Sequence, residues 1–340
     1  MSSSVRPRCL ITGITGMVGS HLLDYLIENT DWDVYGMVRW RSPLDNISSH
    51  IERINRRDRV FLLYGDLRDE FSIQDVVEKS RPYYVFHLAS QSFPRSSVES
   101  PLDTIDTNIQ GTVRVLEALR KQGDNPYIHV CSSSEVFGRV PKEKVPIDEE
   151  CGFHPASPYA ISKAGTDLVG RYYAEAYGMK TFTTRMFTHT GPRRGDVFAE
   201  SSFAKQIAMI EKNIAPPVVK VGNLDSMRTF ADVRDAVRAY FMMLTVKPVG
   251  GSYYNIGGDH SCTVGEMLNT LIGMSTVKNI KVETDPDRLR PIDADLQIPD
   301  TSKFRSHTGW TTQYSFEQTM QDLLNYWRER VSPQSQFLVR

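Results

Sequence analysis

The sequence predicts an α/β fold built on a doubly wound parallel sheet with helices on both faces. Three observations indicate this class: short apolar runs alternate with segments of helical periodicity, the runs are apolar throughout, and a glycine-rich turn follows the first run. Strands separated by helix-length segments favour parallel pairing, and continuously apolar strands fit a sheet that is buried on both faces. The alternation is regular up to about residue 187.

The individual elements follow from apolar periodicity and from helix and turn signals. Strands are predicted at 8–12, 32–38, 59–66, 83–90, 127–133 and 180–187, and helices at 16–29, 72–80, 101–123 and 157–177. Gly123 is expected to end the third helix, because glycine readily adopts the left-handed backbone found there. After residue 187 proline-rich loops interrupt the alternation, and further helices are predicted near 232–246, 264–274 and 315–330.

Composition excludes several classes of protein. Of the 340 residues, 40% are hydrophobic and 24% charged, and the net charge is −1, so no bulk attraction to nucleic acid or anionic lipid is expected. No apolar run is long enough to span a membrane and no signal peptide is recognisable before Gly13, so a cytoplasmic protein is expected. The four cysteines are scattered without metal-binding spacing, and no metal site is predicted.

The turn after the first strand has the spacing of a phosphate-binding loop. Its sequence, TGITGMVG, places Gly13, Gly16 and Gly19 where glycine allows a tight turn and the close approach of a pyrophosphate to the helix N-terminus. In this position the triplet predicts a Rossmann-type dinucleotide site. The other residues of the turn expected to touch the cofactor are Thr15, Met17 and Val18. We therefore expect residues 1–187 to form a dinucleotide-binding domain.

The residue at the end of the second strand indicates which dinucleotide is bound. NAD sites usually place a carboxylate about 20 residues beyond the glycines, to hold the ribose hydroxyls. Here Arg39 stands in that place, with Arg41 nearby. A guanidinium suits a 2′-phosphate, so we expect NADP rather than NAD; alternatively, Arg39 stacks on the adenine. Asp66, followed by Leu67, ends the third strand and is expected to accept from the adenine amino group, unless it caps the next helix.

Tyr159 and Lys163, in SPYAISK, are predicted to form the chemical site. They are four residues apart and therefore share one helix face. A tyrosine phenol titrates at about 10, and a neighbouring ammonium together with a cationic nicotinamide is expected to lower its pKa toward working pH. Tyr159 would then be a base for the proton of a sugar or alcohol hydroxyl. Ser133, at the end of the fifth strand, is expected to hydrogen-bond the reacting oxygen.

These motifs together resemble the extended short-chain dehydrogenase/reductase family. The resemblance covers nearly the whole chain and is carried by TGxxGxxG, Asp66, HLAS (87–90), Asn108, Ser133, YxxxK and the RP at 290–291. More narrowly, the chain resembles the nucleotide-sugar 4,6-dehydratases that act on GDP-sugars, such as the GDP-mannose 4,6-dehydratases. This narrower likeness is carried by SSE (133–135), LASQS (88–92), GPRRGD (191–196), VGNLDSMRTFADVRD (221–235) and LRPIDAD (289–295).

The resemblance implies a bound NADP, a GDP-sugar substrate and a homodimer or homotetramer. It also implies that residues 188–340 form a smaller C-terminal α/β part that holds the nucleotide sugar, with some elements returning to the main sheet. Further cofactor positions implied are Leu88, Ala89, Ser90 and Arg185. The substrate positions implied are Gln91, Ser92, Ser134, Thr188, Arg193, Lys220, Asn223, Arg228 and Arg290. Arg228 and Arg290 suit a diphosphate, although a surface ion pair is the alternative for each.

The resemblance also implies a role for Glu135. In these enzymes hydride leaves carbon 4 of the hexose while the tyrosine removes the hydroxyl proton. The resulting ketone acidifies carbon 5, and a carboxylate removes that proton as the carbon-6 hydroxyl departs as water. The hydride then returns to carbon 6. Glu135 is expected to be the carbon-5 base, unless it only holds a nearby backbone or arginine group. His189, by contrast, is expected to be a structural hydrogen-bonding residue.

Two departures from the dehydratase pattern leave the sugar open. Ser133 replaces a threonine and keeps its hydroxyl, whereas Thr188 stands where an asparagine usually touches the sugar. The sugar is therefore open among GDP-mannose, GDP-manno-heptose and GDP-N-acetylglucosamine. Residues 205–224 also resemble NADPH-dependent GDP-4-keto-6-deoxyhexose reductases, the first rival function, although LASQS favours a dehydratase. A dinucleotide-sensing protein without turnover is disfavoured because Tyr159 and Lys163 are both present.

Overall fold

The computed structural model describes residues 6–289 and 294–334. The strands are β1 Arg8–Thr12, β2 Asp33–Val38, β3 Val60–Tyr64, β4 Tyr84–His87, β5 Tyr127–Cys131, β6 Lys180–Met186, β7 His189–Thr190, β8 Val218–Val221, β9 Met227–Asp232, β10 Tyr253–Ile256, β11 His260–Thr263, β12 Lys281–Thr284 and β13 Leu296–Gln297. The helices are α1 Met17–Asn29, α2 Ile51–Arg56, α3 Glu70–Ser80, α4 Pro94–Glu99, α5 Pro101–Ile105, α6 Gly111–Gln122, α7 Pro158–Tyr177, α8 Ala199–Glu211, α9 Val233–Thr245, α10 Val264–Gly273, α11 Ser302–Thr308 and α12 Phe316–Arg330. Across the described ranges, every helix is too short or too polar to pass through a bilayer.

Seven parallel strands form the main sheet, in the order β10-β6-β5-β4-β1-β2-β3. This order confirms the predicted α/β, Rossmann-type fold. The strand order reverses between β1 and β4, and ligands of such sheets bind beyond the carboxyl ends of the strands at that point. The seventh strand, β10, was not predicted, since it is only four residues long and comes from the C-terminal half of the chain.

Apolar side chains cover the main sheet on both faces. On one face α1 packs against α9, and Leu22 and Tyr240 join the strand residue Ile11 in one core. On the other face α3 and α6 contribute buried residues such as Val76 and Leu116. Because both faces are buried, the strands carry apolar residues at successive positions rather than alternating with polar ones.

The C-terminal half of the chain builds a smaller unit beside the main sheet. Helices α8, α10 and α12 pack around a core that includes Phe203, Leu268 and Leu323. β8 pairs with β12, and β9 pairs with β7, β11 and β13. Helices α9, α10 and α12 correspond to the three that were predicted in this half, whereas α8 was not predicted.

The long helix predicted at 101–123 is present but is not uniform. It consists of α5, a π-helical segment Asp106–Gln110 and α6, and it ends at Gly123 with φ of 84°, as predicted. The buried Asn108 lies in the π-helical segment, and its carbonyl accepts from the hydroxyls of Thr112 and Thr166. Such π-turns occur frequently at functional sites, and this one directs Asn108 toward the loop after β4.

Candidate active site

A cleft of about 1380 Å³ crosses the carboxyl ends of the main-sheet strands, between the sheet and the C-terminal unit. Residues that follow each of β1 to β6 line it, which is where parallel sheets hold ligands. The sequence-predicted residues that line it are Gly13, Thr15, Gly16, Met17, Val18, Gly19, Arg39, Asp66, Leu67, Leu88, Ala89, Ser90, Gln91, Ser92, Ser133, Ser134, Glu135, Tyr159, Lys163, Thr188, Arg193, Asn223 and Arg228. Arg185 and Lys220 are not in this lining, and Arg290 lies outside the described residues.

The turn between β1 and α1 has the shape of a pyrophosphate cradle. Gly13 has φ of +76°, and a Cβ there would lie 2.9 Å from the backbone of Ala89. A Cβ at Gly19 would lie 2.3 Å from the Gly13 carbonyl oxygen. No side chain of Gly16 caps α1, and Met17, Val18 and Gly19 of its first turn line the cleft. These features fit a dinucleotide, whose pyrophosphate binds at a helix N-terminus.

Arg39 lies exposed at the ribose end of the cradle, after β2. Its backbone N–H donates to the Ser42 Oγ at 3.2 Å, and the Asn46 side chain donates to the Thr15 carbonyl at 2.9 Å. Ser42 and Asn46 also line the cleft and were not predicted. A hydroxyl and an amide shortly after Arg39 could have indicated them as further contacts for the cofactor. Arg41 does not line the cleft.

Asp66 binds Arg68 rather than capping a helix. Its carboxylate accepts from the Arg68 side chain at 3.3 Å and from the Arg68 backbone N–H at 3.0 Å. The cap of α3 is Asp69, so the helix-cap alternative for Asp66 was wrong. Partial burial works to raise the pKa of Asp66, but the hydrogen bonds from Arg68 outweigh it and lower that pKa. The carboxylate therefore stays ionised where it lines the cleft.

Tyr159 and Lys163 lie on the first two turns of α7 and line the cleft together, as their spacing predicted. Ser157 caps this helix, and the Tyr159 backbone N–H donates to the Ser97 Oγ at 3.0 Å. The Lys163 Nζ donates to the Cys131 carbonyl at 2.9 Å and lies 6.0 Å from the centre of the Tyr159 ring. Both groups are thus fixed by backbone and side-chain contacts.

Burial controls the pKa values of both groups. It raises the pKa of Tyr159 well above that of free tyrosine, although a hydrogen bond with Ser133 and the charge of Arg194 oppose this rise. Burial also lowers the pKa of Lys163. In the protein alone, burial therefore outweighs the neighbouring Lys163 ammonium, which is bound to a carbonyl. The predicted lowering of the Tyr159 pKa also requires the cationic nicotinamide, and it stays a prediction. A cationic ring in the cleft would supply the missing positive charge.

Glu135 lies beside the tyrosine, in a one-turn 3-10 helix, Ser134–Phe137. The Ser133 Oγ caps this turn by accepting from the Glu135 backbone N–H at 3.2 Å. Among the residues that the structure describes, the half-buried Glu135 carboxylate has no hydrogen-bond or ion-pair partner. Its charge is close enough to Tyr159 to raise the pKa of the phenol. The alternative role, holding a backbone or arginine group, therefore has no support here.

The side chain of Gln91 is used within its own loop rather than left open to a ligand. Its amide oxygen accepts from the Phe93 backbone N–H at 2.8 Å, and its amide nitrogen donates to the Phe93 carbonyl and the Ser96 hydroxyl. Asn108 holds the Gln91 backbone by accepting its N–H at 2.8 Å and donating to its carbonyl at 2.9 Å. Gln91 and Asn108 thus shape the loop that carries Ser92.

The two arginines of GPRRGD line the cleft, and each has a carboxylate partner. Arg193 donates to Asp24 on α1 at 2.7 Å. Arg194 donates to Glu200 at 3.0 Å, and its guanidinium carbon lies 3.4 Å from the centre of the Phe198 ring. The loop is therefore fixed to the cofactor helix on one side and to α8 on the other, with two cations facing the cleft.

The C-terminal side of the cleft carries Asn223 and Arg228, as predicted. Arg228 donates to the carbonyl oxygens of its own strand and of the segment before β13. Sequence reasoning missed Arg288, which lines the same region and is held by Asp285 at 3.4 Å. Apolar residues that complete this end are Phe203, Val264 and Met267. Cations beside apolar side chains suit a nucleoside diphosphate.

Two predicted contacts were wrong. Arg185 is fully buried, pairs with Asp167 at 2.9 Å and donates to the Glu149 carbonyl at 2.6 Å, so it fastens the loop before α7 to β6. Lys220 is exposed on β8 and does not line the cleft, whereas its neighbours Val219 and Val221 are buried in the C-terminal core. A basic residue in a matching sequence position is not a ligand contact when the strand directs it elsewhere.

The sheet order and the tyrosine–lysine helix are those of an extended short-chain dehydrogenase/reductase, and a solved structure supports this class. The NADPH complex of RMD from Pseudomonas aeruginosa is similar to this chain with a TM-score of 0.80 at 26% identity, covering 95% of this chain and 100% of that one. The protein is therefore a nicotinamide-dinucleotide enzyme of this class.

More narrowly, the chain belongs to the GDP-mannose 4,6 dehydratase family, whose model matches residues 10–323. GDP-mannose 4,6 dehydratase 1 of Arabidopsis thaliana is 32% identical over 95% of this chain and 91% of its own length. GDP-6-deoxy-D-mannose reductase of Pseudomonas aeruginosa is 28% identical over 95% of this chain and 98% of its own length.

Proposed function

We propose that this protein is an NADP-dependent GDP-sugar 4,6-dehydratase, a hydro-lyase that makes a GDP-4-keto-6-deoxy sugar. The observation that carries the proposal is the carboxylate of Glu135, which lies beside Ser133 and Tyr159 and has no partner within the described part of the chain. Oxidation or reduction at carbon 4 needs only the phenol and the hydroxyl, whereas elimination of water needs a further base. Membership of the GDP-mannose 4,6 dehydratase family supports the same reading.

Each catalytic residue of the cleft has its own role in the reaction. When bound, the dinucleotide supplies reversible acceptance of a hydride. Tyr159 accepts the proton of the carbon-4 hydroxyl while Ser133 hydrogen-bonds the same oxygen. The ketone so formed acidifies carbon 5, where Glu135 removes the proton and then delivers it to the departing carbon-6 hydroxyl, which leaves as water. The 4-keto-6-deoxy product forms when the hydride is returned to carbon 6 and a proton is added to carbon 5, which balances the hydride and the proton removed at carbon 4. Each positioned acid–base group typically contributes ~10²–10⁴-fold.

The choice of NADP over NAD is supported by the ribose end of the cradle. Arg39 follows β2 where an NAD site would have a carboxylate, and Ser42 and Asn46 add a hydroxyl and an amide beside it. A guanidinium with neighbouring donors suits a 2′-phosphate.

The outer face of α7 supports self-association, and we propose a homodimer as the basic unit. Ile161, Leu168 and Tyr172 share one face of this helix and are 49%, 54% and 55% exposed. The neighbouring α5 exposes Leu102. A second copy presenting the same face about a two-fold axis would bury these side chains. We also propose no nucleic-acid or membrane partner, because a net charge of −1 gives no bulk attraction to either.

A second candidate function is reduction of a GDP-4-keto-6-deoxyhexose. It is favoured by the 28% identity to a GDP-6-deoxy-D-mannose reductase and by the likeness to the NADPH complex of RMD. The two functions differ in what they consume. A dehydratase recycles its hydride, whereas a reductase oxidises one NADPH for each product.

The test is a substrate panel without added reductant. Purified protein would be incubated separately with GDP-mannose, GDP-manno-heptose and GDP-N-acetylglucosamine, and the products analysed by mass spectrometry. We expect loss of one water from one of these sugars with no net change in NADPH absorbance. Unchanged sugars, together with stoichiometric NADPH oxidation in the presence of a GDP-4-keto-6-deoxyhexose, would replace the dehydratase with the reductase.

A further inference from the structure

Asp24 connects two segments that border different parts of the cleft. It lies on α1, the helix that follows the cradle, and its two carboxylate oxygens have different partners. One oxygen accepts from the His50 Nε2 at 2.6 Å, and the other accepts from the Arg193 guanidinium at 2.7 Å. The side chains of Asp24, His50 and Arg193 are only 24%, 11% and 20% exposed. Because the partners are 26 and 169 residues away in sequence, this contact joins parts of the chain that are otherwise distant.

The first partner, His50, ends a segment at the ribose end of the cradle. This ribose-end segment, the 3-10 helix Asp45–His50, carries Asn46, which lines the cleft. The Asn46 side chain donates to the Thr15 carbonyl in the cradle at 2.9 Å. A carboxylate only accepts, so His50 donates from Nε2 to Asp24. The segment is therefore fixed to the cradle at Asn46 and to the cofactor helix at His50.

The second partner, Arg193, belongs to the GPRRGD loop, which α1 holds at two successive residues. Asp24 binds the Arg193 side chain, and His21, one turn earlier on the same helix, donates from Nε2 to the Pro192 carbonyl at 3.1 Å. Arg193 has φ of 70°, in the left-handed region that a residue other than glycine rarely adopts without support from its surroundings. The two contacts with α1 supply that support.

The Asp24 carboxylate is ionised in this arrangement. Burial works to raise the pKa of Asp24, but the hydrogen bonds and charges of His50 and Arg193 outweigh burial and lower that pKa. Hydrogen bonds to an ionised acceptor are stronger than those between neutral groups. Removing the charge of this one side chain should therefore weaken both contacts at once.

We propose that Asp24 is a positioning residue, which holds the ribose-end segment and the GPRRGD loop in place against the cofactor helix. Both segments line the cleft, one at the dinucleotide and the other beside the catalytic groups. The residue after Arg193 is Arg194, whose charge opposes the rise in the pKa of Tyr159. One carboxylate thus supports the binding of the dinucleotide and of a second, phosphate-bearing ligand. The inference rests on the proposed function for the identity of that second ligand, a GDP-sugar.

The variant Asp24→Asn tests this role, because the amide keeps the size of the side chain but has no charge and only one acceptor atom. We expect the Kd for NADP⁺ and the Kd for GDP, both measured by calorimetry, to rise about three- to tenfold each. Asp24→Glu keeps the charge and both acceptors, and it should recover most of both affinities. Glu28→Gln removes an exposed carboxylate one turn later on α1 and is the matched control, with wild-type affinities expected.

The variant His50→Leu separates the two contacts of Asp24. It removes the donor on the dinucleotide side, so NADP⁺ affinity should fall while GDP affinity stays unchanged. Combined with Asp24→Asn it should cause little further loss of NADP⁺ affinity, since residues in direct contact are not additive. If Asp24→Asn does not fold, His50→Leu alone decides, and unchanged NADP⁺ affinity in that variant overturns the proposal.

Wild-type affinity for either ligand in a folded Asp24→Asn variant would overturn the proposal. An equal loss in Asp24→Glu would also overturn it, because the effect would then follow from packing rather than from the charge. Failure of the proposed function is seen separately, as wild-type protein that binds neither NADP⁺ nor GDP.

Discussion

At the scale of residues, the chemistry depends on a positive charge that the protein alone does not supply to the Tyr159 phenol. The phenol of Tyr159 is mostly buried and keeps its proton, since burial raises its pKa and the Lys163 ammonium donates to the Cys131 carbonyl. In the protein alone, Tyr159 is therefore protonated and cannot act as a base. Binding of a cationic ring supplies the charge that favours the phenolate, so the base is activated only when the hydride acceptor is present.

The role of Glu135 can be tested by Glu135→Gln. The amide keeps the size of the side chain but cannot remove the carbon-5 proton, so turnover should fall by about 10²–10⁴-fold. Oxidation at carbon 4 should still occur, which would leave enzyme-bound NADPH visible by absorbance or fluorescence. Glu143→Gln, at an exposed position in a neighbouring turn, is the control and should behave as wild type. Normal turnover of Glu135→Gln would make this carboxylate merely structural.

Cofactor preference is tested by Arg39→Leu. Loss of charge-assisted hydrogen bonds to a 2′-phosphate should weaken NADP⁺ binding by about 10- to 100-fold while leaving NAD⁺ binding unchanged, as measured by calorimetry. Arg41→Leu, which removes a cation that does not line the cleft, should alter neither affinity. An equal loss of both dinucleotides in the Arg39 variant would argue against 2′-phosphate recognition.

At the scale of elements, the turn between β1 and α1 could be predicted because it depends on residues that are neighbours in sequence. The burial of Arg185 could not be predicted in this way. Three glycines within eight residues of sequence define the cradle, and a Cβ at Gly13 or at Gly19 would lie less than 3.0 Å from backbone atoms. The surroundings of Arg185 are set by Glu149 and Asp167, which lie far from it in sequence, so its burial follows only from the folded arrangement. Likewise β10 pairs with β6 although Tyr253 and its partner Thr183 lie far apart in sequence, and a four-residue strand carries too little pattern to reveal this pairing.

The cradle itself is tested by Gly19→Ala. The added Cβ would lie 2.3 Å from the Gly13 carbonyl oxygen and 2.7 Å from the Ile14 Cα, so the turn must shift. We expect destabilisation of about 1–3 kcal/mol, as for other overpacked sites, together with weaker dinucleotide binding. Thermal unfolding and calorimetry measure the two effects. Gly273→Ala, where a Cβ would meet no atom within 4 Å, is the control. Unchanged NADP⁺ affinity in Gly19→Ala would contradict the assignment of the cradle.

At the scale of the whole molecule, the cleft lies between the main sheet and the C-terminal unit. These two units are not formed by separate halves of the chain. The main sheet supplies the cofactor cradle and the catalytic groups, and the C-terminal unit supplies Arg228 and Arg288 on the opposite side. Yet α9 and β10, from the C-terminal half, pack onto the main sheet. This interleaving ties the two sides of the cleft to one framework, and periodicity along the sequence does not show it.

The proposed homodimer is tested by the double substitution Leu168→Glu and Tyr172→Glu. Two carboxylates on the outer face of α7 should prevent close packing of a second copy, so light scattering after size exclusion should give the monomer mass. Phe71→Glu changes an equally apolar side chain, 81% exposed on α3, and should leave the assembly intact. An unchanged mass for the double variant, with native circular dichroism, would place the interface elsewhere.

Return of the same hydride is the step that separates a dehydratase from every oxidoreductase on this fold. It can be followed with GDP-mannose carrying deuterium on carbon 4, or with the sugar from the panel that the enzyme accepts, labelled in the same way. We expect the product to lose one water and to carry the deuterium on carbon 6, with no exchange into added NADP⁺. Deuterium recovered in the free dinucleotide, or lost from the sugar, would contradict elimination with internal hydride transfer.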